Sequence, residues 1–336
     1  MKSKWLIILV FIIVILLITL FFSFFNENKI SQCGDGTFEG NCSLRNPYFC
    51  LNGTLIEKAS ICGCPDVLTK DENSCISKYQ TNPKSVILEY VLRGKKGRIN
   101  FVVYKGMVDY LSKLPKTIYY SSDEKPSRRD FKLQKINEEE QREMILPLVT
   151  EIQNIAEDKN DQVRIAVSLV QNIPYRESER NITIGINQIN YSRYAYEVLY
   201  DAKGACEGKS ELLALLLKEM GYSVVLFYYP LENHEVVGIK CPDKYSLKDT
   251  GYCFVETTGP SIISNDQEYY SEWMKLSSDP EVIFISEGDS LGYLYEYKDA
   301  KDFIKLNEIV ENQGELNIFR HYKWESLKEK YGLNHV

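Results

Sequence analysis

Histidine is scarce: the 336-residue chain holds three, His234, His321 and His335. They are too few and too scattered for the usual zinc sites, and no HExxH stretch occurs. An acidic loop of the EF-hand kind is missing too, so neither a metal nor another cofactor is expected. Basic residues are in the minority, with 40 Lys and Arg against 47 Asp and Glu and a net charge of −7. That balance gives nucleic acid no support as a partner, because phosphate binding wants a clustered basic surface. Low-complexity tracts and internal repeats are absent. What remains is ordinary for a globular protein, 44% apolar and 26% charged. The length suits one large domain or two smaller ones.

The N-terminus is less ordinary. An uncharged apolar run extends from Trp5 to Phe25. At a helical rise of ~1.5 Å per residue it reaches about 30 Å, the depth of a bilayer core. Lys2 and Lys4 precede it, which favours the N-terminus inside and the rest outside. A cleaved signal peptide would carry a shorter apolar region ending in small residues. Here Phe21, Phe22, Phe24 and Phe25 crowd the end, so the expectation is an uncleaved single-pass anchor over residues 1–29.

The cysteines fit an extracytoplasmic location. Six of the nine fall close together: Cys33, Cys42, Cys50, Cys62, Cys64 and Cys75. An even count in a short polar stretch reads as a disulfide module, residues 30–80, whose connectivity the sequence leaves open. The rival is a zinc site, but Cys62-Gly63-Cys64 is tighter than the usual ligand spacing and no histidine is near. Asn41, Asn52, Asn181 and Asn190 begin glycosylation sequons, short patterns that also arise by chance.

Beyond the module, Val86–Leu92 and Ile99–Tyr104 are rich in β-formers, with RGKKGR as the turn between them. The polar stretch 120–132 carries a proline and reads as a linker. Residues 136–158 look helical, with acids in the first turn. In the next helix Asp161 is a candidate cap, and Pro174 ends it. Residues 176–194 are polar and asparagine-rich and read as a loop. Leu212, Leu213, Leu216, Leu217 and Met220 then recur at helical spacing, and Gly221 supplies the stop. SVVLFYYP, HEVVGIKC, YCFVETTG and EVIFIS follow as strands, with helical stretches near 298–311 and at the end. Helices first and an antiparallel sheet afterwards make an α+β fold.

Three side chains suggest chemistry. Cys206 opens the helix, where unpaired N–H groups favour a thiolate and lower its pKa. Taken alone it is as well read as a small buried hydrophobe. His234 begins a strand and could reach the thiol as a general base; the bland reading is an inert loop-end histidine. Glu256, one strand on, could accept the second ring N–H and fix the tautomer. Strand glutamates more often face solvent; the value of this one lies in the order cysteine, strand, histidine, strand, acid.

GACEGKSELLALLLKEMGYSVVLFYY, NHEVVGI and YCFVETT resemble the core of transglutaminase-like proteins of the papain-like cysteine-enzyme superfamily. The resemblance covers roughly residues 160–262, with VQNIPY in the same style. It implies a papain/transglutaminase-like core over residues 133–275, helices packed on an antiparallel sheet. It also implies Cys206 as nucleophile, His234 as base and Glu256 as orienting acid. Two departures stand out: the family acid is usually aspartate, and Glu235 replaces the aromatic residue that often follows the histidine. Residues 1–29, the module, a hairpin and linker segment over 81–132, and an α/β extension over 276–336 lie outside the core.

Cys241 and Cys253 flank the loop between the histidine and glutamate strands. If those strands form a hairpin, the two can pair, and Cys206 is left as the odd thiol. A developing oxyanion would find the Cys206 backbone N–H, with Gln171 or Tyr175 considered as side-chain donors. The expectation is a membrane-anchored, extracytoplasmic thiol hydrolase, a peptidase or amidase acting on protein or peptide amide bonds. The alternatives are a cross-linking acyltransferase and an inactive surface-binding protein of the same fold.

Overall fold

The computed structural model describes residues 14, 32–121, 125–178, 181–184, 187–264, 266, 269–271 and 274–333. The expected anchor lies, apart from Val14, outside the described residues. Among the described residues no helix is long and apolar enough to cross a membrane.

The cysteine-rich segment is a disulfide module. Its first hairpin joins β1 (Tyr48–Leu51) and β2 (Thr54–Glu57). Asn52 and Gly53, with φ 52° and 73°, form the two-residue turn that suits strand twist. A single turn α1 (Ala59–Cys62) leads to a second hairpin, β3 (Thr69–Asp71) and β4 (Ser74–Ile76). Disulfides join Cys33 to Cys50, Cys42 to Cys62 and Cys64 to Cys75. All six cysteines are thereby used, and the zinc alternative falls. The module is fastened to the main body at Asn154, whose side chain donates to Leu55 O (3.0 Å) and accepts from Leu55 N (2.8 Å). Gly34 lies so close to that body that a Cβ there would stand 2.0 Å from Gln153 O.

Strands β5 (Pro83–Leu92) and β6 (Lys95–Tyr104) pair along their whole length. The turn is only Arg93–Gly94, both left-handed at φ 53° and 79°, and the rest of RGKKGR joins the ladder. Val86, Leu88, Ile99, Phe101 and Val103 alternate into the core. Helix α2 (Lys105–Lys113) buries Met107, Val108 and Leu111 and has no counterpart in the sequence reading. The linker reading also needs correction. From Arg128 the chain is helical, α3 (Arg128–Ile136), started by the Asp130 carboxylate accepting from Ser127 N–H at 2.7 Å.

Helices α4 (Glu139–Ile155) and α5 (Lys159–Asn172) follow as expected, though Asp158 rather than Asp161 caps the second. The stretch read as a loop holds a hairpin, β7 (Asn181–Ile184) with β8 (Asn187–Asn190). Then come α6 (Ala195–Asp201) and α7 (Cys206–Glu219). Leu212 to Leu217 are all fully buried, so α7 is a central helix rather than a surface one.

The sheet in front of it is built from β9 (Val224–Tyr229), β10 (His234–Lys240) and β11 (Tyr252–Val255). A small hairpin, β12 (Tyr269–Ser271) and β13 (Met274–Lys275), precedes β14 (Glu281–Ser286). The order is β11-β10-β9-β14, antiparallel throughout. Val224, Leu226, Val237, Ile239, Val255 and Ile283 face the main core with α7, while Val225, Phe227, Val236 and Phe254 pack on the other side. Helices α8 (Glu296–Gln313) and α9 (Ile318–Tyr331) close the chain around Phe303, Leu306 and Leu327. The protein is therefore a mixed helix-and-sheet structure with disulfides near its N-terminus.

Candidate active site

Cys206 is placed by a pinned lead-in. Gly204 N–H donates to Pro174 O at 3.1 Å, and Arg176 N–H donates to Gly204 O at 3.0 Å. Helix α6 presses on this turn: a Cβ on Gly204 or Gly208 would meet Val198 methyls at 3.0 and 2.9 Å. Among the nine cysteines Cys206 alone is free, and the other pair expected, Cys241 with Cys253, is bonded across β10 and β11. The Cys206 sulfur takes a hydrogen bond from the backbone N–H of Glu235. Glu235 immediately follows His234, so the thiol sits against the start of β10.

His234 is fully buried, and its Nε2 lies 2.9 Å from Glu256 Oε2. Glu256 stands one residue beyond β11. Continuing the β10–β11 register puts it opposite Val236, on the diagonal from His234, a separation that long side chains bridge. Strand alternation does not sort this turn, since Val255, Glu256 and Thr257 are all buried. The other carboxylate oxygen accepts from Thr257 N, Thr258 N and Thr258 Oγ1, each at 2.8 Å. Burial works to raise the Glu256 pKa, but His234 and these donors outweigh it and hold the carboxyl below its usual range. An ionised carboxylate only accepts, so Nε2–H donates to it and Nδ1 is the other ring nitrogen.

The thiol departs from expectation. Burial pushes it up to about 12, and the carboxylates of Glu235, Glu207 and Glu256 add to the rise against the single N–H of Glu235. A helix end offers a negative charge only about 0.3–1 kcal/mol, which does not offset desolvation beside three acids. At neutral pH the resting group is a protonated thiol.

Residues not singled out in the sequence complete the site. Lys132, on α3, places Nζ 2.6 Å from Glu207, 2.9 Å from Glu211 and 3.0 Å from Glu235. Lys135 meets the second oxygen of Glu211 at 2.6 Å. Glu235, where an aromatic residue was expected, thus has an ionic partner. Burial drives Glu235 upward to about 7 against the pull of Lys132. The i, i+4 spacing of Glu207 and Glu211 was the available signal, but their partner came from a stretch that read as a linker. Lys209, wholly buried, donates to Gln171 O, Ile173 O and Thr258 O, pinning the turn behind Glu256. Gln171, considered as an oxyanion donor, instead donates to Glu256 O (2.9 Å) and Ser261 O (3.2 Å). A cleft of about 350 Å³ opens over the sulfur, walled by Tyr175, Tyr191, Arg193 and Tyr228. Tyr175 therefore stays at the site, while His234 lies beneath the surface.

No protein-family model matches the chain, and no curated protein matches it. Among solved structures it is similar to calcium-bound LapG of Legionella pneumophila, at 14% identity and a TM-score of 0.27. That match covers 49% of this chain and 90% of the other. At such a score the likeness carries no weight for fold or function.

Proposed function

We propose that the protein is a membrane-anchored, extracytoplasmic thiol hydrolase with a papain/transglutaminase-like core, cleaving amide bonds in proteins or peptides. One observation carries the reading. The only free thiol lies at a helix start against the residue that follows a histidine, and that histidine is locked to a fully hydrogen-bonded carboxylate. A substrate carbonyl entering the cleft is attacked by the Cys206 sulfur as the thiol proton passes to Nδ1 of His234. Glu256 stabilises the imidazolium so formed, and the Cys206 N–H faces the developing oxyanion. The imidazolium returns the proton to the leaving amine, giving an acyl-enzyme. Water then adds, its proton taken by His234; the C–S bond breaks to release the acid, and the imidazolium returns that proton to the Cys206 sulfur. Because the resting thiol is neutral, His234 acts as a general base during attack rather than as half of a preformed ion pair.

An iodoacetamide-type probe tests this at neutral pH. The native protein should be labelled at Cys206, and Cys206→Ala should not be; equal labelling of the two sinks the reading. The buried, protonated thiol favours a second reading, a surface-binding scaffold that has kept the fold without chemistry. That reading requires a native thiol as unreactive as the alanine variant and no amidase activity on a peptide library.

A further inference from the structure

Helix α3 lies outside the segment that resembles a papain-like core, yet it reaches both catalytic elements. Arg129 Nε donates to Phe284 O of β14 at 3.0 Å, and the Arg128 guanidinium lies over the Tyr228 ring of β9 at 3.7 Å. One turn further, Lys132 passes into the interior with its side chain 5% exposed. Its ammonium meets carboxylates from two elements: Glu207 and Glu211 from the first turns of α7, and Glu235 from β10. Glu207 follows the nucleophile in the chain, and Glu235 follows the base. A single cation therefore ties the backbone beside Cys206 to the backbone beside His234.

We propose that Lys132 is a positioning residue for the Cys206–His234 site, clamping the start of α7 to the start of β10 and offsetting the carboxylates beside the thiol. This rests on the thiol-hydrolase reading and adds a residue from outside its core. Without Lys132, the ion pair left to Glu207, Glu211 and Glu235 among the described residues is that of Lys135 with Glu211. Their uncompensated charge opposes a thiolate at the Cys206 sulfur and pushes the two elements apart. Among the described residues the cleft over the sulfur is also lined by Arg128, Glu177, Arg193, Glu232 and the tyrosines Tyr175, Tyr191 and Tyr228, and Glu256 acts on the thiol from beyond β11. The ion pairs of Lys132 are with Glu207, Glu211 and Glu235, so its effect on the thiol runs through these acids.

The test is the pH profile of Cys206 alkylation by iodoacetamide, from pH 6 to 10, in the full-length protein. It needs no knowledge of the natural substrate. Lys132→Met, which keeps the aliphatic stem, should slow alkylation at pH 8 about tenfold and move the titration limb to higher pH. Adding Glu235→Gln should bring the limb back. Glu235→Gln alone should move it to lower pH and raise the pH 8 rate, which keeps the proposal testable if Lys132→Met does not fold. A lysine that merely packs would leave the limb in place, and an unmoved limb in either single variant overturns the proposal while the hydrolase reading stands. A wild-type thiol that never alkylates overturns both.

Discussion

Glu256 illustrates what one side chain contributes. From its position just past β11, a glutamate reaches the diagonal to His234 while its other oxygen gathers three donors. Its pKa is depressed in the folded state, so the carboxylate stabilises the fold above the unfolded value of about 4.3. That contribution is lost as pH falls through the lower, folded value. Glu256→Gln should therefore cost about 1–3 kcal/mol at pH 7 and progressively less as the wild-type carboxyl protonates. Urea unfolding at pH 7 and near pH 3 checks this; a cost independent of pH would contradict it. Cys206, His234 and Glu256 were legible as candidates because each is a chemically distinctive residue type placed beside a strong periodic pattern. The thiol's acidity was not, because it depends on burial and on acids brought from β10 and the turn after β11. Lys132 was invisible for a related reason: a lysine in a polar stretch reads as solvated until the fold surrounds it with carboxylates.

Among the elements, β10 and β11 are joined twice, by their ladder and by the Cys241–Cys253 disulfide, with a sequence separation of 12. Closing a loop of that size restricts the unfolded chain by roughly 3 kcal/mol. Replacing both cysteines with serine should lower stability by about 2–3 kcal/mol, read as a drop in Tm. The denatured, unreduced wild type should titrate one thiol per chain, Cys206; a higher count would break the pairing scheme. Helices α4, α5 and α7 and strands β9, β10, β11 and β14 were readable from their apolar periods. The start of α3 was not. Its apolar positions are sparse, and ion pairs with α7 and β10 hold it in place. Nor was the hairpin β7–β8, whose asparagine-rich sequence carries turn signals more strongly than strand signals.

For the whole molecule, the proposed membrane anchor makes a direct prediction. The apolar run Trp5–Phe25 follows Lys2 and Lys4, and Cys33, the first cysteine of the disulfide-bonded module, comes a few residues after it. The proposal of an anchor with the remainder outside predicts that the full chain stays in the membrane pellet after alkaline carbonate. A chain lacking residues 1–29 should be released, and external protease should reach the C-terminal part in intact cells. Recovery of the full chain in the soluble fraction would overturn the anchor.

By itself the sequence determined the composition class, the paired use of cysteines and the central helix after Cys206, and it pointed to the candidate residues for the proposed thiol chemistry. These are local properties, written in side-chain type and spacing. Tertiary structure decided the disulfide connectivity, the meeting of His234 with Glu256, the sequestering of Gln171 and the enclosure of Lys132. It also decided that the thiol rests protonated. Each of these depends on contacts between distant parts of the chain and on how far the fold excludes water, and electrostatics in a buried site follows those distances rather than the order of residues.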